Sequence, residues 1–251
     1  MALPIIDARV HIARGISPWS EAREVLRRAG VDTAMLTAHP ESTQLDDDIS
    51  LPLSAAGQDG PYAAYYVGGD PYEGYRRGRI SVPSDLGRWD AVHIRCFLSP
   101  SLDFGGATTA AQWEPDRLRE AVERQDLGEL LDAAAQREMP VWLTEHFPVT
   151  LELIERHPDV RFVIPKMGAM NGGTAQVLNT LAPYTHICFD TSCGELQESI
   201  VERIGYRRIL FASGYPFNQP SDALDQLGAL KLSDDEIGAI AGGNFLELIG
   251  A

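Results

Sequence analysis

Lysine is almost missing from this chain. Of 21 basic residues only Lys166 and Lys231 are lysines, and the remainder are arginines. G+C-rich codon usage produces such a bias, so the bias by itself says nothing of function. Positive charge is short overall: 21 basic residues against 36 acidic ones leave a net charge of −15. A surface of that sign repels phosphate backbones and anionic lipid, which argues against nucleic acid and membrane surfaces as partners. Cysteine is scarce too. Cys96, Cys188 and Cys193 are odd in number and lack C-x-x-C spacing, which supports neither a disulfide framework nor a cysteine zinc site. No apolar run approaches the ~20 residues of a spanning helix, and the first residues lack the charged-then-apolar pattern of a leader. A cytoplasmic location is the expectation. Internal repeats, low-complexity tracts and linkers are also lacking.

What is present is ordinary globular material. The chain has 251 residues, 44% of them apolar and 23% charged. Short apolar runs at Pro4–Ile12, Asp32–Ala38, Tyr62–Val67, Ala91–Phe97, Val141–Thr144, Arg161–Ile164, Ile187–Asp190 and Arg208–Ala212 read as strands. They are continuous rather than alternating, as in a parallel sheet buried on both faces. Helical spacing falls between them. Ser17-Pro18 reads as N-cap and first helical residue ahead of Ala22, Val25, Leu26 and Ala29, with Gly30 as the stop. Further helices are expected within Glu114–Met139, over Val149–Arg156, Thr174–Leu181, Glu195–Ile204 and Ser221–Leu230, and over Ser233–Leu248 behind a capping box. The stretch from His39 to Arg88, rich in Asp, Gly, Pro and Ser, reads mostly as loop. Eight βα units in ~250 residues predict an α/β fold of the (β/α)8 TIM-barrel type. An open doubly wound sheet is the alternative, but it would need a glycine fingerprint after the first strand, and Arg9–Ala13 holds no glycine.

Function in a barrel sits at the C-terminal ends of its strands. Those positions are unusually polar here: Asp7, Arg9 and His11 on strand one, His39 after strand two, Arg95 on strand four, and Thr144-Glu145-His146 on strand five. Lys166 follows strand six, Asp190 ends strand seven, and Ser213-Gly214 follows strand eight.

Several of these segments resemble one family. Ile5-Ile6-Asp7-Ala8-Arg9-Val10-His11-Ile12 is similar to the opening D-x-H-x-H strand of the amidohydrolase superfamily, in its amidohydrolase-related branch. Leu210–Phe217 resembles its eighth strand, F-G-S-D-Y-P, and Val163–Gly168 resembles its sixth, which usually carries a histidine. Phe189–Ser192 and Gly243-Asn244-Phe245 fit as well. The resemblance implies one TIM-barrel domain over residues 1–251, distorted after strand two.

The departures fall on the metal ligands. The first histidine of the pair is Arg9, leaving only His11. The sixth-strand histidine is Lys166, and the eighth-strand aspartate is Gly214. The fifth-strand histidine position falls at Thr144, with His146 two residues on. Zinc needs about three neutral-imidazole or carboxylate ligands, and two cations in their place repel a metal. The expectation is a metal-independent enzyme with no cofactor, resembling the few metal-independent members such as the lactonases of sugar-acid and pyrone carboxylates. Its substrate would be a small carboxylate-bearing anion, processed by hydrolysis, cyclisation or ring opening, or elimination. Arg9, Arg95 and Glu145 are its candidate substrate-binding residues, and His11, His146, Lys166 and Asp190 its candidate catalytic ones. Arg9 paired structurally with Asp7 or Asp190 is the plainer reading of that residue. Two other functions stay open. One is a pseudoenzyme serving as scaffold or partner of an active paralogue; assembly as a homo-oligomer, or as a heteromer with such a paralogue, is open separately. The other is a metallohydrolase with a rearranged site at His11, Glu145 or His146, and Asp190. His39, His93, His157 and His186 read as structural or surface residues.

Overall fold

Strands are interleaved with helices in the computed structural model, which describes residues 3–39, 50–56, 60–68, 82–95, 127–194 and 196–251. The order is β1 (Ile6–Ile12), α1 (Trp19–Ala29), β2 (Thr33–Ala38), α2 (Leu51–Ala56), β3 (Tyr62–Gly68), β4 (Ala91–Arg95), α3 (Leu127–Gln136) and β5 (Val141–Thr144). It continues with α4 (Phe147–Arg156), β6 (Phe162–Ile164), α5 (Thr174–Leu181), β7 (Cys188–Asp190), α6 (Glu198–Ile204), β8 (Ile209–Leu210), α7 (Pro220–Gly228), α8 (Asp234–Gly238) and α9 (Asn244–Ile249). Cys96, the end of the expected strand that runs to Phe97, and the first half of the expected helix from Glu114 lie outside the described residues.

The eight strands pair in chain order, and every pair is parallel. The backbone after β8 returns to β1. Ala8 N–H donates to the Phe211 carbonyl at 2.8 Å, Gly214 N–H to that of Arg9 at 3.1 Å, and His11 N–H to that of Tyr215 at 2.8 Å. The fold is a (β/α)8 TIM barrel.

Two apolar layers hold it together. Outward residues such as Val10, Leu36, Ile94 and Leu143 pack against the helices through Leu26, Leu130 and Leu153. Inward residues such as Met35, Ala64, Ala91, Trp142 and Val163 fill the barrel, together with Phe245 of α9. Phe245 lies 5.1 Å from Tyr62, the first residue of β3, so α9 covers the end where the strands begin. Each such fully buried large side chain is worth about 1.5–3 kcal/mol. The opposite end is left for polar residues.

One expected cap is absent. Ser17 is buried, and its hydroxyl donates to the His11 carbonyl at 2.9 Å. Pro18 occupies the N-cap position instead, with no side-chain cap. The serine is taken by a bridge between Ala13 and Ser17 that folds the chain back after β1. The capping box at Ser233 and Glu236 is present with both of its bonds.

Candidate active site

Period-two alternation sets which side chains enter the barrel. On β4 the inward set is Ala91, His93 and Arg95, rising from the apolar floor to the mouth. β1 carries a register irregularity between Asp7 and Val10, which brings Arg9 and His11 into the same polar layer.

Arg9 is the centre of that layer. It is 4% exposed, and its Nε lies 3.5 Å from Asp190 Oδ2. One terminal nitrogen donates to Ser192 Oγ, while Nε finds no hydrogen-bond acceptor. Asp190 is fully buried and saturated with donors. It accepts from Trp142 Nε1 at 3.1 Å, from the backbone N–H of Lys166 and of Ser192 at 3.0 Å each, and from the Ser192 hydroxyl. Behind this pair, Asp7 accepts from the backbone of Arg9 at 3.1 Å, and from the backbone and hydroxyl of Ser213 at 3.0 and 2.5 Å. Burial pushes the Asp7 carboxyl up to about 6 despite those donors.

Lys166 follows β6 on a run of left-handed backbone: φ is +54° at Lys166, +50° at Met167 and +80° at Gly168. L-residues pay about 1 kcal/mol or more in that region, and such runs persist where surrounding structure enforces them. The Lys166 ammonium lies 6.0 Å from the centre of the Phe217 ring and makes no ion pair with a carboxylate among the described residues. Burial, then the charge of Arg9, pulls its pKa down, with Arg95 adding to the fall and Cys193 and Asp190 opposing it.

His11 lies across the mouth. Its Nδ1 is 3.3 Å from the Ala38 carbonyl, and its ring is 5.4 Å from Phe217, 6.2 Å from His39 and 5.9 Å from His93. A carbonyl only accepts, so Nδ1 carries the proton and Nε2 a lone pair. Burial, with help from Arg9, His93 and Arg95, holds this imidazole well below its usual range, so it is neutral. His93 is held down by burial, Arg9 and Arg95 in the same way. Glu145 and His146 follow β5, both buried, and burial lowers the His146 imidazole.

The structure thus gathers Arg9, Asp190, Lys166, His11 and the half-buried Arg95 around one mouth. His93 and Phe217 were not expected there, and His39, placed at a strand end by the sequence, reads in sequence as structural or surface. Once Arg95 is placed inward, period two puts His93 inward as well, so the sequence carried that signal. Phe217 had none beyond its place after strand eight. His157 and His186 lie away from the mouth, as expected: His157 sits 3.4 Å from Asp132, and His186 is exposed.

Residues 101–250 match the sequence profile of the family described as Amidohydrolase. The chain belongs to the amidohydrolase family. No curated protein sequence matches it. Among solved structures, this amidohydrolase is similar to a dihydroxybenzoic acid decarboxylase from Polaromonas with bound manganese and 2-nitroresorcinol, at 12% identity and TM-score 0.58, over 99% of this chain and 97% of that one. It is similar to a protein described as a 2-pyrone-4,6-dicarboxylic acid hydrolase from Pseudomonas putida, at 17% identity and TM-score 0.64, over 100% and 98%. A protein of the same description from Acinetobacter baumannii, with citric acid bound, matches at 14% identity and TM-score 0.63, over the whole of both chains. These likenesses are of fold.

The residues present do not fit the divalent metal that the family implies. A Cβ at Gly214, the eighth-strand ligand position, would lie 3.9 Å from Arg9 Nη2 and 3.0 Å from Cys193 Sγ. The guanidinium therefore reaches the ground that a metal would need between strands one and eight. Among the described residues no three His, Cys, Asp or Glu side chains are grouped to hold an ion.

Proposed function

We propose that this amidohydrolase is a metal-independent enzyme for a small carboxylate-bearing substrate. The observation that carries the reading is the Arg9 guanidinium, anchored by Asp190 and Ser192 beside Gly214, with the Lys166 ammonium near it and joined to no carboxylate among the described residues. Fixed positive charge in a water-poor site does electrostatically what a Lewis acid does elsewhere. Lys166 and Arg95, with Arg9 beside them, receive the substrate carboxylate or the oxyanion that develops at its reacting carbonyl. Asp190 is a positioning residue, because its oxygens are already occupied by Arg9 and four donors. His11 takes the proton at Nε2, where the Ala38 contact leaves a lone pair and a lowered pKa keeps it. Glu145 and His146, buried just after β5, stay candidates for binding the substrate and moving its proton. The chemistry is hydrolysis, ring opening or closing, or elimination, and a cytoplasmic setting belongs to the same proposal. The substrate class is supported by the similar structures described as a dihydroxybenzoic acid decarboxylase and a 2-pyrone-4,6-dicarboxylic acid hydrolase.

The test is turnover of a panel of pyrone carboxylates and hydroxybenzoates by protein treated with chelator. Activity that survives the chelator and is lost in Lys166→Met supports the proposal. Activity that vanishes with the chelator and returns with manganese or zinc overturns it.

A further inference from the structure

The turns after β6 and β7 lie against each other beside the carboxylate site. A Cβ at Gly194 would stand 3.6 Å from the Lys166 carbonyl oxygen. Both turns pass through left-handed backbone, with φ at +54° for Lys166 and +49° for Cys193. Cys193 is free and exposed, and its Sγ makes one weak contact, 3.6 Å from the Ser213 carbonyl. Two cations stand near that sulfur. A Cβ at Gly214 would lie 3.0 Å from Cys193 Sγ and 3.9 Å from Arg9 Nη2. Arg9 is 4% exposed, and only Nη2 of its three nitrogens finds a hydrogen-bond acceptor among the described residues. The Lys166 ammonium makes no ion pair with a carboxylate among those residues. Burial and Arg9 lower its pKa, and Cys193 opposes them more strongly than Asp190 does. An enclosed guanidinium with donors to spare and an unpaired ammonium both call for an anion. The exposed thiol stands where that anion would arrive.

We propose that Cys193 is a thiolation site, modified by carboxylate-bearing disulfides of low molecular weight, and that its modification closes the carboxylate site. The carboxylate of the disulfide docks on Lys166 and Arg9, which holds its sulfurs at the thiol. Cys193 gives up its proton to solvent, and its sulfur attacks the near sulfur of the disulfide. One S–S bond forms and the other breaks. The far half leaves as a thiolate with the bonding pair, so Cys193 is oxidised and the departing thiol reduced. The half that stays keeps its carboxylate on the cations and shuts out substrate. A thiol reductant reverses the step. The other described cysteine offers no such site. Cys188 opens β7 at the end of the barrel that α9 covers, and burial pushes its thiol up to about 11. This regulation rests on the carboxylate reading above, and the experiment separates the two.

Labelling rates test it, with dithiobis(nitrobenzoate) as the anionic disulfide, dithiodipyridine as the neutral one, and mass spectrometry to place each label. A chain of net charge −15 repels an anionic reagent in general, so assistance at Cys193 has a clear sign. Lys166→Met should slow the anionic label at Cys193 about fivefold and leave the neutral one nearly unchanged. Because the variant can fail to fold, the wild type carries the same test: saturating 2-hydroxybenzoate should slow the anionic label far more than the neutral one. Protein labelled by the anionic reagent should gain no melting temperature from 2-hydroxybenzoate, and dithiothreitol should restore the gain. Suppose instead that 2-hydroxybenzoate stabilises the wild type, but the anionic label responds to it and to Lys166→Met no more than the neutral label does. That result overturns the role of Cys193 and leaves the carboxylate site standing. Label found at Cys96 or Cys188 rather than Cys193, or labelled protein that still responds to 2-hydroxybenzoate, overturns it equally. If 2-hydroxybenzoate neither stabilises the wild type nor slows its labelling, both readings fall.

Discussion

Arg9 and Lys166 are both cations at one mouth, yet removing them should have opposite consequences. Arg9 neutralises a carboxylate that is fully buried, so Arg9→Met leaves Asp190 hydrogen-bonded but without a counter-charge. Breaking a buried pair in this way costs about 3–5 kcal/mol, readable as a drop in the urea midpoint. An unchanged midpoint would contradict the pairing. Asp7 adds a pH signature. Its carboxyl is pushed up to about 6, so the folded protein holds a proton there that the unfolded chain releases. The stability from Asp7 is complete below the ordinary carboxylate value near 4, and is lost as the pH rises through about 6. His11 and His93, held below the imidazole range, work the other way: their contribution is complete above about 6.5 and is lost as the pH falls. In Asp7→Asn the opposing carboxyl contribution is gone. The stability of the variant relative to the wild type should therefore rise by about 3 kcal/mol between about pH 4 and pH 7. A difference that stays constant with pH would remove Asp7 from the account. At this scale the sequence was half legible. Arg9, Lys166, His11 and Asp190 stood out by their place at strand ends. Whether Arg9 met a carboxylate or a substrate could not be read from one dimension, because its partners Ser192 and Asp190 are far away in sequence.

The elements were legible where a run of side chains decides them. Val141–Thr144 and Thr174–Leu181 have the bounds that their apolar spacing implies, and β2, β3 and β6 differ by a residue at an end. Legibility failed where backbone bonding decides. The run Arg208–Ala212 reads as one strand, but only Ile209 and Leu210 pair with β7. Phe211 N–H instead donates to the Ile240 carbonyl at 2.9 Å, and its own carbonyl serves Ala8. The left-handed run after β6 had no sequence signal except Gly168. There φ is +80°, and an added Cβ would sit 2.5 Å from Val177 Cβ and Cγ1 on α5. Gly168→Ala must move either the turn that carries Lys166 or the helix beneath it. A loss of about 3 kcal/mol is expected in denaturant unfolding, from overpacking together with the left-handed penalty. A loss below about 1 kcal/mol would mean that the turn adjusts freely and does not fix Lys166.

Arg9, Lys166 and Arg95 stand at one end of the barrel in a chain of net charge −15. The barrel floor is apolar and covered by α9, so the charge is concentrated at the end where strands finish. No helix among the described residues is long and apolar enough to cross a membrane. The barrel was legible from the eight continuous runs, and the family from its strand-end motifs. The substitutions at the family's metal-ligand positions were visible in the sequence, but that the Arg9 guanidinium reaches the eighth-strand position needed three dimensions. The central claim is that this end of the barrel receives a carboxylate through fixed cations. The most direct measurement is the melting temperature, in chelator, of wild type and Lys166→Met with and without 2-hydroxybenzoate. The ligand should raise the wild-type value, with the rise growing with ligand concentration as mass action requires. Lys166→Met should melt at or slightly above the unliganded wild type, having lost a desolvated cation beside Arg9, and should show no rise. A wild type that ignores the carboxylate, together with a variant several degrees less stable, would contradict the account and make Lys166 a structural residue.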